Sequence, residues 1–298
     1  MKTSFGAMTG RERLCFVLKY LFMALCVVVA LFPIIWVILS SFKTNAEILS
    51  NGISLPTHFG FDGYQSALDM APIFKFFGNS VIVTCCATVL NVLVFAMAGY
   101  AFARFRFPCD KLLYMLLSLS LVIPMTALLQ PVYSVVNNLG LYDTKAGLIL
   151  VNTALNMPMS LLILRGAFQS IPKAIEEAAY IDGANELQIL WKVIVPLCKP
   201  ALATFTLFHA VGHWNGYFNA TMYINSRDKW PLMLIVREMV AESGTNMVHQ
   251  SATAIEDLAQ PFTLQMAIII FTIIPILCVY PFVQKYFMKG MLMGSVKG

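Results

Sequence analysis

The chain has 298 residues, of which 59% are hydrophobic and only 12% charged, with a net charge of +5 and a mean hydropathy of +0.75. A soluble domain carries roughly 25% charged residues, so this composition excludes one. The seven cysteines are odd in number and contain no CxxC pair, which argues against a disulfide framework or a zinc site.

A bilayer core needs about 20 mainly apolar residues in a helix. Six blocks qualify: 15–41, 76–102, 112–136, 146–168, 197–224 and 263–287. The short alternating segments of a β-barrel are absent, so the expected fold is all-α, a polytopic membrane protein with six transmembrane helices. Residues 1–14 form an N-terminal segment carrying Lys2, Arg11 and Arg13. The apolar run that follows is too long for a cleavable leader and reads as an uncleaved first span. The membrane domain covers 15–288, and 289–298 form a C-terminal tail.

Lys and Arg favour the cytoplasmic side of short loops. With both termini inside, the inner segments hold fourteen of them and the outer loops six. The outer side then receives two substantial loops, 42–75 and 225–262. The second contains a helix expected over 231–243. Pro231 suits its first turn, Leu232, Ile235, Val236, Met239 and Val240 share a face, and Gly244 is a natural C-cap.

Between the fourth and fifth spans lies an acidic insert, 170–196, that interrupts the apolar pattern. Ser170 and Pro172 read as a helix start, with Glu176 and Glu177 in the first turns, where the helix dipole favours acids. Ile175, Ala178, Ala179 and Asp182 share a face. Gly183 stops the helix, because glycine accepts a left-handed conformation at little cost. Asn185 and Gln188 have capping-box spacing for a second helix, and its apolar stripe is Leu187, Leu190, Trp191 and Ile194, closed by Pro196. Periodicity leaves two readings for this helix–Gly–helix elbow, a structural hairpin or a docking element.

Polar residues within a bilayer are costly and often face a cavity. The fifth block is richest in them, with His209, His213, Trp214, Asn215, Tyr217 and Asn219. Trp214, Asn215, Tyr217 and Asn219 are candidate substrate contacts through aromatic faces and amides, as are Gln130, Asn152 and Asn156. Such groups also join helices to one another. The His209-x3-His213 pair lacks the glutamate of an HExxH metalloprotease, since residue 210 is Ala. An ion-coupled secondary transporter is the stronger rival, although no Asp or Glu lies in any of the six blocks.

Glu177-Ala178-Ala179, three residues, Gly183, nine residues and then Val193-Ile194-Val195-Pro196 resemble the EAA motif of ATP-binding-cassette (ABC) importer permeases, EAA-x3-G-x9-I-x-L-P, with valine for its Ile and its Leu. GYAFARFRF (99–107), GLYDT (140–144), LRGAF (164–168) and the tail from Lys289 are similar to carbohydrate permeases of the MalG type. WNGYFN (214–219) with Arg227-Asp228 and Trp230-Pro231-Leu232 is similar to a polysaccharide-fragment (LplC/YtcP-type) subgroup. The resemblance implies a type I (MetI/MalG-like) permease fold and an elbow that serves as the coupling helix. Glu176, Glu177, Ala178, Ala179, Asp182 and Gly183 would meet an ATPase subunit. It further implies a second homologous permease, two ATPase subunits that bind ATP and Mg, an external solute-binding protein, and placement in a bacterial cell membrane. No G-x4-G-K-[ST] phosphate loop occurs here, so ATP hydrolysis would belong to other chains.

Overall fold

The computed structural model describes residues 10–70, 72–249 and 262–295. Every regular element among them is helical. They fall into two compact units, one within Met1–Ala71 and Met239–Phe271, the other within Pro72–Glu238 and Thr272–Gly298.

In the first unit, α1 (Gly10–Ser40) leaves its apolar side chains exposed all round, from Leu14 to Ile35. A helix with no polar face and no protein cover belongs in lipid. The chain then folds back on itself. Trp36 Nε1 and Lys43 Nζ both donate to the Gly52 carbonyl, at 2.7 and 2.9 Å. Helix α2 (Asn45–Ser50) starts with a reciprocal Thr44–Glu47 capping box. Phe42 gathers the rings of Phe59, Phe61 and Tyr64 beside α3 (Asp62–Met70). Gly63 abuts Thr263 so closely that a Cβ would lie 2.7 Å from its carbonyl oxygen.

The second unit begins with α4 (Ile73–Arg104), a single long helix covering the second apolar block. The third block, expected as one span, is broken: α5 (Asp110–Leu119) and the 3₁₀ turn after it meet α6 (Met125–Asn138) at 113°. Pro124 explains the break, since it lacks an N–H and drives Ile123 into extended backbone. Helix α7 (Lys145–Gln169) is continuous. The elbow comprises α8 (Lys173–Ile181), α9 (Glu186–Gln188), a π-helical turn (Ile189–Ile194) and α10 (Val195–Leu197). It meets α11 (Lys199–Asn215) at 86°. The fifth block is broken too, with α11 ending at Gly216 and α12 (Phe218–Tyr223) completing it. Helix α13 (Leu232–His249) starts after Pro231 as expected but runs through Gly244, because glycine inside a helix costs only about 1 kcal/mol and does not oblige a cap. The last helix is α14 (Phe262–Ser295).

Among the described residues four helices are therefore long and apolar enough to cross a membrane, and the two bent pairs bring the number up to six. In the second unit α4 packs on α7, with α11 against both. Gly99 sets the closest approach: a Cβ there would lie 3.0 Å from Leu164 Cβ and 3.3 Å from the Arg165 nitrogen. Around that contact Phe95, Tyr100, Leu164, Phe168 and Phe205 form a core, and Ile189, Leu190 and Ile194 of the elbow enter it.

Candidate coupling elbow and membrane cavity

The elbow follows from local chemistry. Ser170 does not cap α8; its hydroxyl donates back to the Ala167 carbonyl, and Pro172 occupies the cap without a side-chain bond. At the other end Gly183 has φ +83, and the Gly183 and Ala184 N–H groups bond back to the Tyr180 and Ala179 carbonyls. This is a Schellman closure, whose left-handed residue is usually glycine. The Asn185–Gln188 capping box has both of its bonds, at 2.9 and 3.0 Å.

The elbow has two faces. Arg104, closing α4, donates to the Phe168 and Ile171 carbonyls at 2.9 Å each and forms an ion pair with Glu176. Both side chains of that pair are less than a tenth exposed. Glu176 therefore differs from the exposed acids Glu177 and Asp182: its carboxylate is turned inward against Arg104. Tyr100 and Tyr180 both donate to the Glu186 carboxylate, which pushes the Tyr180 hydroxyl up to about 12. On the outer face Ile175, Glu177, Ala178, Ile181, Asp182, Gly183 and Leu187 are exposed. Ile181 and Leu187, apolar and 87% and 62% exposed, form its tip. Leu187 leaves the expected apolar stripe, and Ile189 joins the core instead, because the π-turn alters the helical register beyond Gln188.

A groove of about 920 Å³ runs along α7 and α11, from Ser170 and Leu197 to Asn152 and Asn219. Asn219 donates to the Asn152 side chain at 2.7 Å, and Asn156 to the Asn152 carbonyl at 2.6 Å. Three of the proposed polar residues thus meet on one wall. His209 and His213 line the groove and share the Asn91 amide at 3.2 and 2.9 Å, and the second nitrogen of His209 meets Ser160 at 3.0 Å. The histidine pair is thereby a helix-joining network, and among the described residues no three metal-ligating side chains converge.

The remaining candidates lie elsewhere. Trp214 is buried, with its indole N–H on the Thr272 carbonyl at 3.0 Å and its ring edge-on to Phe77. Asn215 is exposed, Tyr217 sits under the Arg237 guanidinium, and Gln130 is exposed on α6 away from the groove. Reading residue types missed Thr204 and Phe208 on the groove wall and the bridging Asn91 and Ser160. A single hydroxyl or amide inside an apolar block carries no directional signal.

At the opposite end of these helices from the elbow, the GLYDT stretch acquires a physical role. Asp143, at φ +56, accepts from the Asn225 and Ser226 N–H groups, the Ser226 hydroxyl and Lys229 Nζ. These donors, Lys229 foremost, hold its carboxyl well below the usual carboxylate range. Asn79 adds bonds to the Asp228 and Trp230 carbonyls at 3.0 Å each, and Ser80 accepts from the Leu232 N–H.

Known proteins share the sequence and fold of this chain. Residues 95–293 match the family described as binding-protein-dependent transport system inner membrane component. The polygalacturonan/rhamnogalacturonan transport system permease YtcP of Bacillus subtilis is 37% identical, over 97% of this chain and 100% of its own. Protein LplC of the same organism is 35% identical, over 91% and 90%. The diacetylchitobiose uptake permease NgcG of Streptomyces coelicolor is 33% identical, over 91% and 85%. A crystal structure of a bacterial ABC transporter involved in the import of the acidic polysaccharide alginate contains a chain with TM-score 0.77 and 29% identity, covering 94% of this chain and 99% of that one. The chain thus belongs to the binding-protein-dependent inner membrane components, the membrane-embedded permease subunits of ABC importers, which are transport components rather than enzymes.

Proposed function

We propose that the chain forms half of the translocation pathway of an importer for oligosaccharides or polysaccharide fragments, and that its elbow receives the stroke of a cytoplasmic ATPase. The single observation that carries the coupling role is the two-faced elbow: an exposed face ending in Ile181 and Leu187, and an inner face tied to α4 and α7 through Arg104 and Glu176. An element exposed to a partner and rigidly joined to two spans transmits displacement rather than absorbing it. The family works with an ATPase and a solute-binding protein. The fuller assembly we propose has a second, homologous permease and two ATPase subunits that carry the ATP and Mg. Both termini lie in the cytoplasm of a bacterial cell, as the distribution of Lys and Arg favours.

The glycan class rests on the names of the relatives, which concern polygalacturonan/rhamnogalacturonan, diacetylchitobiose and alginate. The wall of Asn152, Asn156 and Asn219 offers the amide hydrogen bonding that a hydroxylated substrate requires. Purification of the tagged chain with its associated subunits, followed by a glycan-binding screen of the external one, tests the reading. ATP-dependent glycan uptake in vesicles supports it; uptake driven by an ion gradient, or purification without an ATPase, overturns it.

A further inference from the structure

A second cavity, of about 240 Å³, opens where α4 and α7 end and α5 begins. Its walls carry Arg104, Arg106, Lys111, Arg165 and Lys173 against one acid, Asp110. Glu176 compensates Arg104, and Asp110 lies 3.7 Å from Arg106. Lys111, Arg165 and Lys173 have no ion-pair partner among the described residues. Arg165 is held in place: its Nε donates to the Phe102 carbonyl, and its guanidinium lies 3.9 Å from the Tyr114 ring centroid. Arg104 also keeps a buried Nε without a hydrogen-bond partner.

The position of the cavity selects the ligand. It lies where apolar helices meet charged residues, so it faces a membrane surface. Alongside it α5 exposes Leu112, Leu113, Met115 and Leu116, each more than two-fifths exposed. A preformed pocket of cations beside a bare apolar strip matches a charged headgroup with acyl chains attached. The elbow tip at Ile181 stands about 12 Å further along α8 from Lys173, so a partner seated there leaves the cavity free. We propose that this cavity binds the headgroup phosphate of an anionic phospholipid, whose acyl chains lie along the exposed face of α5. The site requires only that these helix ends reach a membrane surface. It is independent of the transported solute.

Native mass spectrometry of the delipidated importer, titrated with phosphatidylglycerol or phosphatidylcholine, tests the site without substrate or ATP. Wild type is expected to bind phosphatidylglycerol in preference to phosphatidylcholine. Lys111→Gln and Lys173→Gln should each weaken that binding about fivefold. Lys192→Gln, an exposed cation elsewhere on the elbow, should leave it unchanged. Competition by inorganic phosphate supports recognition through the phosphate. Phosphate binding without phosphatidylglycerol binding overturns the lipid assignment. Equal affinity in wild type and the Lys111→Gln/Lys173→Gln variant, or no preference over phosphatidylcholine, overturns the site.

Discussion

Arg104, the last residue of α4, joins Glu176 of α8 in an ion pair buried on both sides, and its guanidinium also holds the Phe168 and Ile171 carbonyls. One side chain thus ties the end of the second apolar block to the elbow and to the end of α7. Removing one partner of a buried pair strands the other charge and costs about 3–5 kcal/mol. Arg104→Ala should lie at the upper end, since it frees two carbonyls as well. Glu176→Gln should be milder, because the guanidinium keeps both carbonyl acceptors. Thermal unfolding of the purified assembly gives the order, and equal losses would assign the carbonyl bonds no weight.

Gly183 has open space around its Cα but φ +83. A β-carbon there meets no neighbour, yet a left-handed L-residue costs about 1–2 kcal/mol. Gly183→Val should disturb the turn and uncouple ATP hydrolysis from uptake while membrane insertion persists; Gly183→Asn should retain more coupling. Glu177→Lys alters only the exposed face and should weaken ATPase co-purification without changing stability. Wild-type substrate-stimulated ATPase activity in both Gly183→Val and Glu177→Lys would refute the elbow's role.

Two glycines should behave in opposite ways. At Gly147 a Cβ would collide with the Leu141 carbonyl oxygen, in the turn that starts α7. Gly147→Ala must shift backbone and should cost about 1–3 kcal/mol. Gly78, inside α4, has nothing within 4 Å of a built Cβ. Gly78→Ala should be neutral or stabilising, by up to about 1 kcal/mol. Melting temperatures of the two variants decide.

The Asp143 carboxyl is depressed in the folded state, chiefly by Lys229 and then Ser226. A depressed carboxyl contributes stability above its unfolded value, near 3.8, and loses it as pH falls through the lower folded value. The clasp should therefore persist from neutral pH down to about pH 4. Asp143→Asn should speed proteolysis of the 225–231 loop at pH 7, and the gap from wild type should narrow below that range. A constant gap would rule out the charge as the cause.

Trp214 and Asn152 should separate by kinetics. Trp214→Phe removes a buried hydrogen bond to Thr272, worth about 1 kcal/mol, and should lower stability with KM for uptake unchanged. Asn152→Ala removes the partner of Asn219 on the groove wall and should raise KM a few-fold. A raised KM in Trp214→Phe alone would reverse the two roles.

Much of this was legible one segment at a time. The apolar blocks, the capping box at Asn185 and the stop at Gly183 depend on neighbours within a few residues, which a linear chain displays. The break at Pro124 rests on equally local chemistry, yet the predominantly apolar composition of 112–136 conceals it. The extension of α13 through Gly244 escaped because a glycine permits a helix end without imposing one.

Local chemistry and apolar length alone determined a membrane-spanning chain with a turned, capped elbow. The tertiary structure decided which of two adjacent elbow acids faces inward: of Glu176 and Glu177, only Glu176 points at Arg104, 72 positions earlier. It likewise decided that Trp214 is spent on Thr272 while Asn152 and Asn219 line a groove. The reason is physical: an ion pair or a cavity wall joins side chains from different helices, and no periodicity within one helix specifies what stands opposite it.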